Sequence, residues 1–240
     1  MTTTAKPNKE ERKAQLDEVI EKANLLNDED SDFATALIEK NGKILAIIGG
    51  ALLFAVLAFV GYKYYTKSQN EEAQNAMFNA VHLFEADSLK KALKGDGNSL
   101  GLVEIADSYS GTDAGNLACY YAGAAYLKQG KFDDAISYLE RFSASDLLVQ
   151  GRAYVLTGDA YMEKGDFEKA ASYYKKGANY EPNKFFTPMY LMKLGLASEK
   201  MKDYAAASEA YGKIEDQYPT SQQAADAKKY KAMVDELAGK

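Results

Sequence analysis

From Ile44 to Tyr62 the chain runs for 19 residues without a formal charge, while on either side apolar residues recur only at helical spacing among polar ones. At about 1.5 Å of rise per residue, such a helix comes close to the ~30 Å hydrocarbon core of a bilayer. Lys40 and Lys43 bracket the run on one side, and Lys63 and Lys67 on the other. Tyr62, Tyr64 and Tyr65 stand where an interfacial aromatic belt belongs. A buried core helix rarely stays apolar for so long. A cleavable signal starts nearer the N-terminus and ends in small residues, whereas here 43 residues precede the run and Tyr-Lys-Tyr-Tyr-Thr ends it. The pattern predicts one uncleaved transmembrane helix over residues 44–65.

Lysines flanking the run balance at two and two, so they do not orient it. The arm before it holds 7 of the 29 basic residues, and a large C-terminal part can translocate whatever its charge. The expected topology is arm inside and domain outside. Gly42, Ala46 and Gly50 form a small-residue stripe along the span. Such a stripe lets a second helix approach closely, although glycine and alanine are also common in any spanning helix.

Residues 1–43 form a polar arm in which Leu16, Val19, Ile20 and Ala23 keep helical spacing. A short amphipathic helix is expected, with partial disorder at the extreme end. Phe33, Leu37 and Ile38 extend the apolar pattern toward the span. Asp28, Asp30, Asp32 and Glu39 fall at positions 1, 3, 5 and 12 of a calcium-loop pattern, but position 6 is Phe33 where the sharp turn requires glycine. A solvated acidic turn is expected there.

Beyond the span, residues 116–219 repeat themselves. With Gly123, Gly158 and Gly195 superposed, at offsets of 35 and 37, the rest falls into register. Tyr126 matches Tyr161, and Gly130 matches Gly165. Phe132, Phe167 and Tyr204 share a position, as do Ala135, Ala170 and Ala207, and Leu139, Tyr174 and Tyr211; Pro182 and Pro219 close the second and third repeats. Each repeat reads as two amphipathic helices around a tight turn, with small residues allowing close approach and aromatics filling the space between. No such pair can bury its apolar face alone, so the repeats must stack.

The flanks read as degenerate members of that stack, with residues 66–115 as linking helices. Ala73, Met77, Val81 and Phe84 lie on one helical face, and Leu102, Ile105, Ala106 and Tyr109 on another, separated by Gly95-Asp96-Gly97. Residues 220–240 are expected to form a polar capping helix bearing Ala225, Tyr230 and Met233.

Tyr154, Thr157, Gly158, Tyr161, Ala170, Tyr174 and Pro182 closely follow the pattern W-x2-L-G-x2-Y, A-x3-F, P. On these residues the chain resembles the tetratricopeptide repeat family. The first repeat departs with Cys119 in the tryptophan position and lacks the proline. The third has Leu191 and Ser198 for the tryptophan and tyrosine, and a lead-in at Lys184-Phe185-Phe186. The resemblance implies an all-α solenoid whose first helices line a concave partner-binding groove. Carried over by position, the lining is Tyr120, Leu127, Val155, Asp159, Met162, Met189, Met192, Leu196 and Glu199; packing of some of these inside the stack is the less favoured alternative. Methionines with aliphatic neighbours suit an adaptable apolar groove for a peptide or helix. The groove lacks the run of Lys, Arg and Asn that would clamp a carboxyl terminus.

Composition narrows the chemistry. Frequent Ala, Lys, Glu and Leu, with four prolines, favour helix. A net charge of −6 argues against a nucleic-acid partner. One cysteine, Cys119, excludes an intramolecular disulfide framework and a Cys-based zinc site, and one histidine, His82, leaves little for histidine-dependent metal or triad chemistry. Both are expected to be structural, Cys119 as a buried inert thiol. Gly97-Asn98-Ser99-Leu100-Gly101 matches a nucleophile elbow, but that elbow needs a preceding strand and a following histidine, and His82 lies upstream. A helix-connecting turn capped by Ser99 is expected. There is no phosphate-cradling glycine loop, so no cofactor, metal or small-molecule substrate is expected, and not an enzyme.

The layout of a short charged arm, one span and a repeat domain resembles the bacterial ancillary SecYEG translocon subunit family, over residues from about 35 to the end. That resemblance implies a single-pass inner-membrane protein, N-terminus cytoplasmic and repeats periplasmic. Its implied partners are Sec translocon subunits, periplasmic chaperones or emerging polypeptides, beside membrane lipid. A scaffold for cell-envelope assembly or division shares the layout, with an enzyme the least favoured reading.

Overall fold

The computed structural model describes residues 9–146 and 148–239, with side chains described at 43, 44, 46–146 and 148–239. Among these residues every regular element is a helix. The first, α1, runs unbroken over Lys9–Glu85, and the chain divides into two compact units between Lys63 and Tyr64.

In the first unit, the arm is helical from Lys9 onward. Asp28–Glu39 therefore forms no loop, and the calcium-like spacing has no turn to close around an ion. The expected disorder of the extreme end falls on residues 1–8, outside the described residues. Ile47, Leu53, Phe54 and Phe59 are all exposed. An 18-residue window of α1 reaches a mean hydropathy of 2.0 with none of it buried inside the protein. Among the described residues, one helix is thus long and apolar enough to cross a membrane.

The second unit begins with the remainder of α1, which buries Ala73, Met77 and Ala80. Asn70 Oδ1 accepts a hydrogen bond from the Ala114 N–H at 2.9 Å, and Phe84 meets Tyr121 edge-on at 5.4 Å. Two short helices follow, α2 (Leu89–Lys94) and α3 (Leu102–Ser108). The two-helix reading of this stretch missed α2, whose six residues are too few to show a period, although Ala92 and Leu93 are buried. Ser99 is not the helix cap. The N-cap of α3 is Gly101, where a Cβ would meet Leu93 O at 2.3 Å. Asp96 organises the turn instead, its Oδ1 accepting from the N–H groups of Asn98 and Ser99 at 3.0 and 2.9 Å.

Three helix pairs form the repeats: α4 (Asp113–Lys128) with α5 (Phe132–Arg141), α6 (Val149–Glu163) with α7 (Phe167–Asn179), and α8 (Thr187–Lys200) with α9 (Tyr204–Gln217). All three turns are alike. The N–H groups of Lys131, Asp166 and Asp203 reach back to the carbonyls of Tyr126, Tyr161 and Ser198 at 2.9, 3.0 and 2.9 Å, the paired-bond ending that needs a left-handed residue. That residue is Gly130 (φ 71°), Gly165 (φ 76°) and, in the third repeat, Lys202 (φ 61°). Asp166 and Asp203 then cap α7 and α9 by accepting from the N–H groups of Lys169 and Ala206.

The glycine that aligned the repeats has a steric cause. A Cβ on Gly123 would meet Leu139 Cγ at 2.5 Å, one on Gly158 would meet the Tyr174 ring at 2.7 Å, and one on Gly195 would meet the Tyr211 ring at 2.3 Å. Each pair thus closes around one large residue held against bare backbone. The core lies in two main clusters. One joins α1–α4 through Leu102, Ile105 and Ala118 to Leu139 and Phe142. The other gathers Tyr174, Tyr190, Leu191, Tyr211 and Ile214. Each fully buried aliphatic side chain, such as Leu102 or Ile214, is worth about 1.5–3 kcal/mol relative to exposure.

The last helix, α10 (Ala224–Leu237), packs on α9 through Ala227 and Val234 and through the Tyr230 ring, tilted against Tyr211 at 5.7 Å, while Ala225 and Met233 are exposed. The polar outer face expected of a cap is therefore interrupted by an apolar edge.

Candidate functional site

Successive first helices α4, α6 and α8 carry equivalent positions side by side. At their C-terminal halves they enclose a cavity of about 560 Å³. Leu127 of α4, Asp159 and Met162 of α6, and Leu196 of α8 line it together. Its polar centre is Asp159 Oδ1, which accepts from the Tyr174 hydroxyl and from Lys193 Nζ, both at 2.7 Å. Burial and the adjoining Asp159 carboxylate push the Tyr174 phenol far above its ordinary value. The wall sets these apolar side chains beside the charged Lys128, Glu163 and the Asp159–Lys193 ion pair, and Leu196, 46% exposed, presents its side chain to solvent.

The other expected lining residues are distributed differently. Met189 is 37% exposed. Tyr120 is half-buried in the first core, its ring tilted against Phe142 at 5.4 Å. Val155 is buried in the second core, at 4% exposure. It fills the space beside Gly177, where a Cβ would meet Val155 Cγ2 at 2.6 Å. Met192 packs half-buried against the same core. Glu199 accepts from the Tyr211 hydroxyl at 2.5 Å, a bond that, after burial, drives that phenol upward as well. In the span, Ala46 is exposed and a side chain at Gly50 would meet nothing within 4 Å; Gly42 falls among residues whose surroundings are not described.

Several contributors escaped sequence reasoning. Lys193 and Tyr174 complete the polar centre, and nothing in the repeat pattern pairs them with Asp159. Leu117 was legible, since it precedes Arg152 and Met189 at the same offsets of 35 and 37. With Met77, Phe78 and Val81 it lines a second, more apolar cavity of about 640 Å³ between α1 and α4. Phe78 stands 82% exposed at its edge, and His82, expected to be structural, is an exposed wall residue of this cavity. Cys119 is buried, and burial raises its thiol pKa, so the thiolate is disfavoured.

Residues 121–183 and 190–221 match family models of the tetratricopeptide repeat. These repeats mediate protein–protein contacts, and the chain carries a protein-interaction module of that type. Helices α1–α3 lie outside the matched segments. No curated protein matches the chain.

Proposed function

We propose that the protein is a membrane-anchored capture module whose concave surface takes apolar segments of partner proteins. The observation that carries this is the cavity shared by α4, α6 and α8, where Leu127, Met162 and Leu196 converge around Asp159. Leucine and methionine side chains yield to varied apolar shapes. Exposed Met189, Leu117 and Phe78 continue the same apolar character toward α1. An adjoining span holds this surface near a bilayer and raises its effective concentration for anything emerging there.

The arm of residues 1–43 is cytoplasmic in this reading, residues 44–65 cross the inner membrane, and the linking helices, three repeats and capping helix from residue 66 onward lie in the periplasm. Resemblance in layout to ancillary SecYEG subunits supports a role beside the Sec translocon, handing emerging polypeptides to periplasmic chaperones. A photo-crosslinking amino acid at Leu196 tests this in intact membranes. Adducts with channel subunits, emerging chains or periplasmic chaperones are expected; adducts confined to envelope-building or division enzymes would contradict the secretion role.

A further inference from the structure

A third cavity, of about 500 Å³, lies away from the interhelical surface, between the lead-in to α8 and the loop joining α9 to α10. Its volume falls within the ordinary range for small-ligand pockets, about 300–1,000 Å³. Two aromatic residues, Phe185 and Tyr218, contribute to its wall. Phe185 is 74% exposed. The rest of the wall is almost wholly uncharged: three glutamines, including Gln217 and Gln222, with two hydroxyl side chains. Lys184 is its one charged member, and its Nζ lies 5.3 Å from the Phe185 ring centroid, over one face of the ring.

We propose that this cleft binds a neutral oligosaccharide. Each glutamine amide both donates and accepts, as does each hydroxyl, which matches the mixed donor–acceptor character of sugar hydroxyls. An exposed ring face, negative at its centre, attracts the slightly positive C–H face of a pyranose; with Lys184 over one side of Phe185, the sugar takes the other. An anionic ligand is disfavoured because a single lysine is the only cation present. The glutamines would also suit a peptide backbone, but an exposed aromatic set among hydroxyls and amides fits a sugar ring better.

The test uses the full chain in a detergent without sugar headgroups, titrated calorimetrically with chitotetraose, maltotetraose, inorganic phosphate and an unstructured Gly-Ser peptide. Saturable binding of either oligosaccharide at one site is expected. Phe185→Ala and Gln222→Ala should each weaken it tenfold or more with melting unchanged, and Lys184→Gln should leave it nearly intact. Binding of phosphate or peptide in place of both sugars would overturn the proposal. So would silence with both sugars at millimolar concentration, or sugar binding indifferent to Phe185→Ala.

Discussion

Lys202 occupies a place that two sister repeats give to glycine. The three turns share their hydrogen bonds to within 0.1 Å in the longer-range bond of each, yet the third forces a β-carbon into left-handed backbone at φ 61°. That conformation costs an ordinary L-residue roughly 1–2 kcal/mol, part of which glycine returns through its freer unfolded chain. The Lys202 side chain is exposed and is not needed for packing. Lys202→Gly should therefore stabilise the domain by about 0.5–1 kcal/mol, read as a higher midpoint in denaturant; an unchanged or lower midpoint would show the turn is not under strain. This residue also marks a limit of sequence reading. The offsets of 35 and 37 place Gly130, Gly165 and Lys202 in one column, but a lysine there says nothing of left-handed backbone until the turn is seen. By contrast, Gly123, Gly158 and Gly195 announced themselves, because close approach to Leu139, Tyr174 and Tyr211 tolerates no other residue.

Helix pairs are locked by tyrosines whose hydroxyls reach across to carboxylates. Tyr174 donates to Asp159 within the second repeat and Tyr211 to Glu199 within the third; Tyr173 donates to Glu140 of the preceding repeat at 2.6 Å. Burial first, and then the carboxylates, hold all three phenols well above the ordinary tyrosine value of about 10. A proton held more tightly in the folded state stabilises it fully below the unfolded-state pKa, and this contribution is lost as pH climbs from about 10 toward the folded-state values. Thermal midpoints should stay level from neutral pH to about 10 and then fall. Tyr174→Phe, which breaks a bond to a charged acceptor, should cost about 1.5–3 kcal/mol at neutral pH and flatten the alkaline fall. A midpoint that drops as steeply in Tyr174→Phe would assign the alkaline loss elsewhere. The amphipathic spacing made the repeat helices legible in advance. It could not reveal α2, too short for a period, nor that α10 buries Ala227 and Val234 and leaves Ala225 and Met233 exposed. It also could not separate groove from core among the first-helix residues, because Val155 and Met162 stand seven residues apart on one helix, and only the structure shows Val155 covered at Gly177 of α7 while Met162 lines the cavity.

At the scale of the molecule, the proposed function joins one helix long and apolar enough to cross a membrane to a stack of tetratricopeptide repeats. With the repeats in the periplasm as proposed, a cysteine introduced as Lys228→Cys, at an exposed site on α10, should react with an impermeant thiol reagent in intact spheroplasts, while Cys119, buried with its thiolate disfavoured, adds little background. Labelling that requires lysis would place the repeats in the cytoplasm. Binding itself is tested most directly by Met189→Glu combined with Leu196→Glu. Both residues are exposed, so the fold should survive, with circular dichroism and melting as in the unaltered protein. Charge placed where an apolar segment must dock has to be desolvated without a partner. Recovery of crosslinked partners from membranes should then fall tenfold or more, equivalent to about 1.4 kcal/mol. Undiminished recovery by a folded double variant would show that the surface shared by α4, α6 and α8 is not where partners bind.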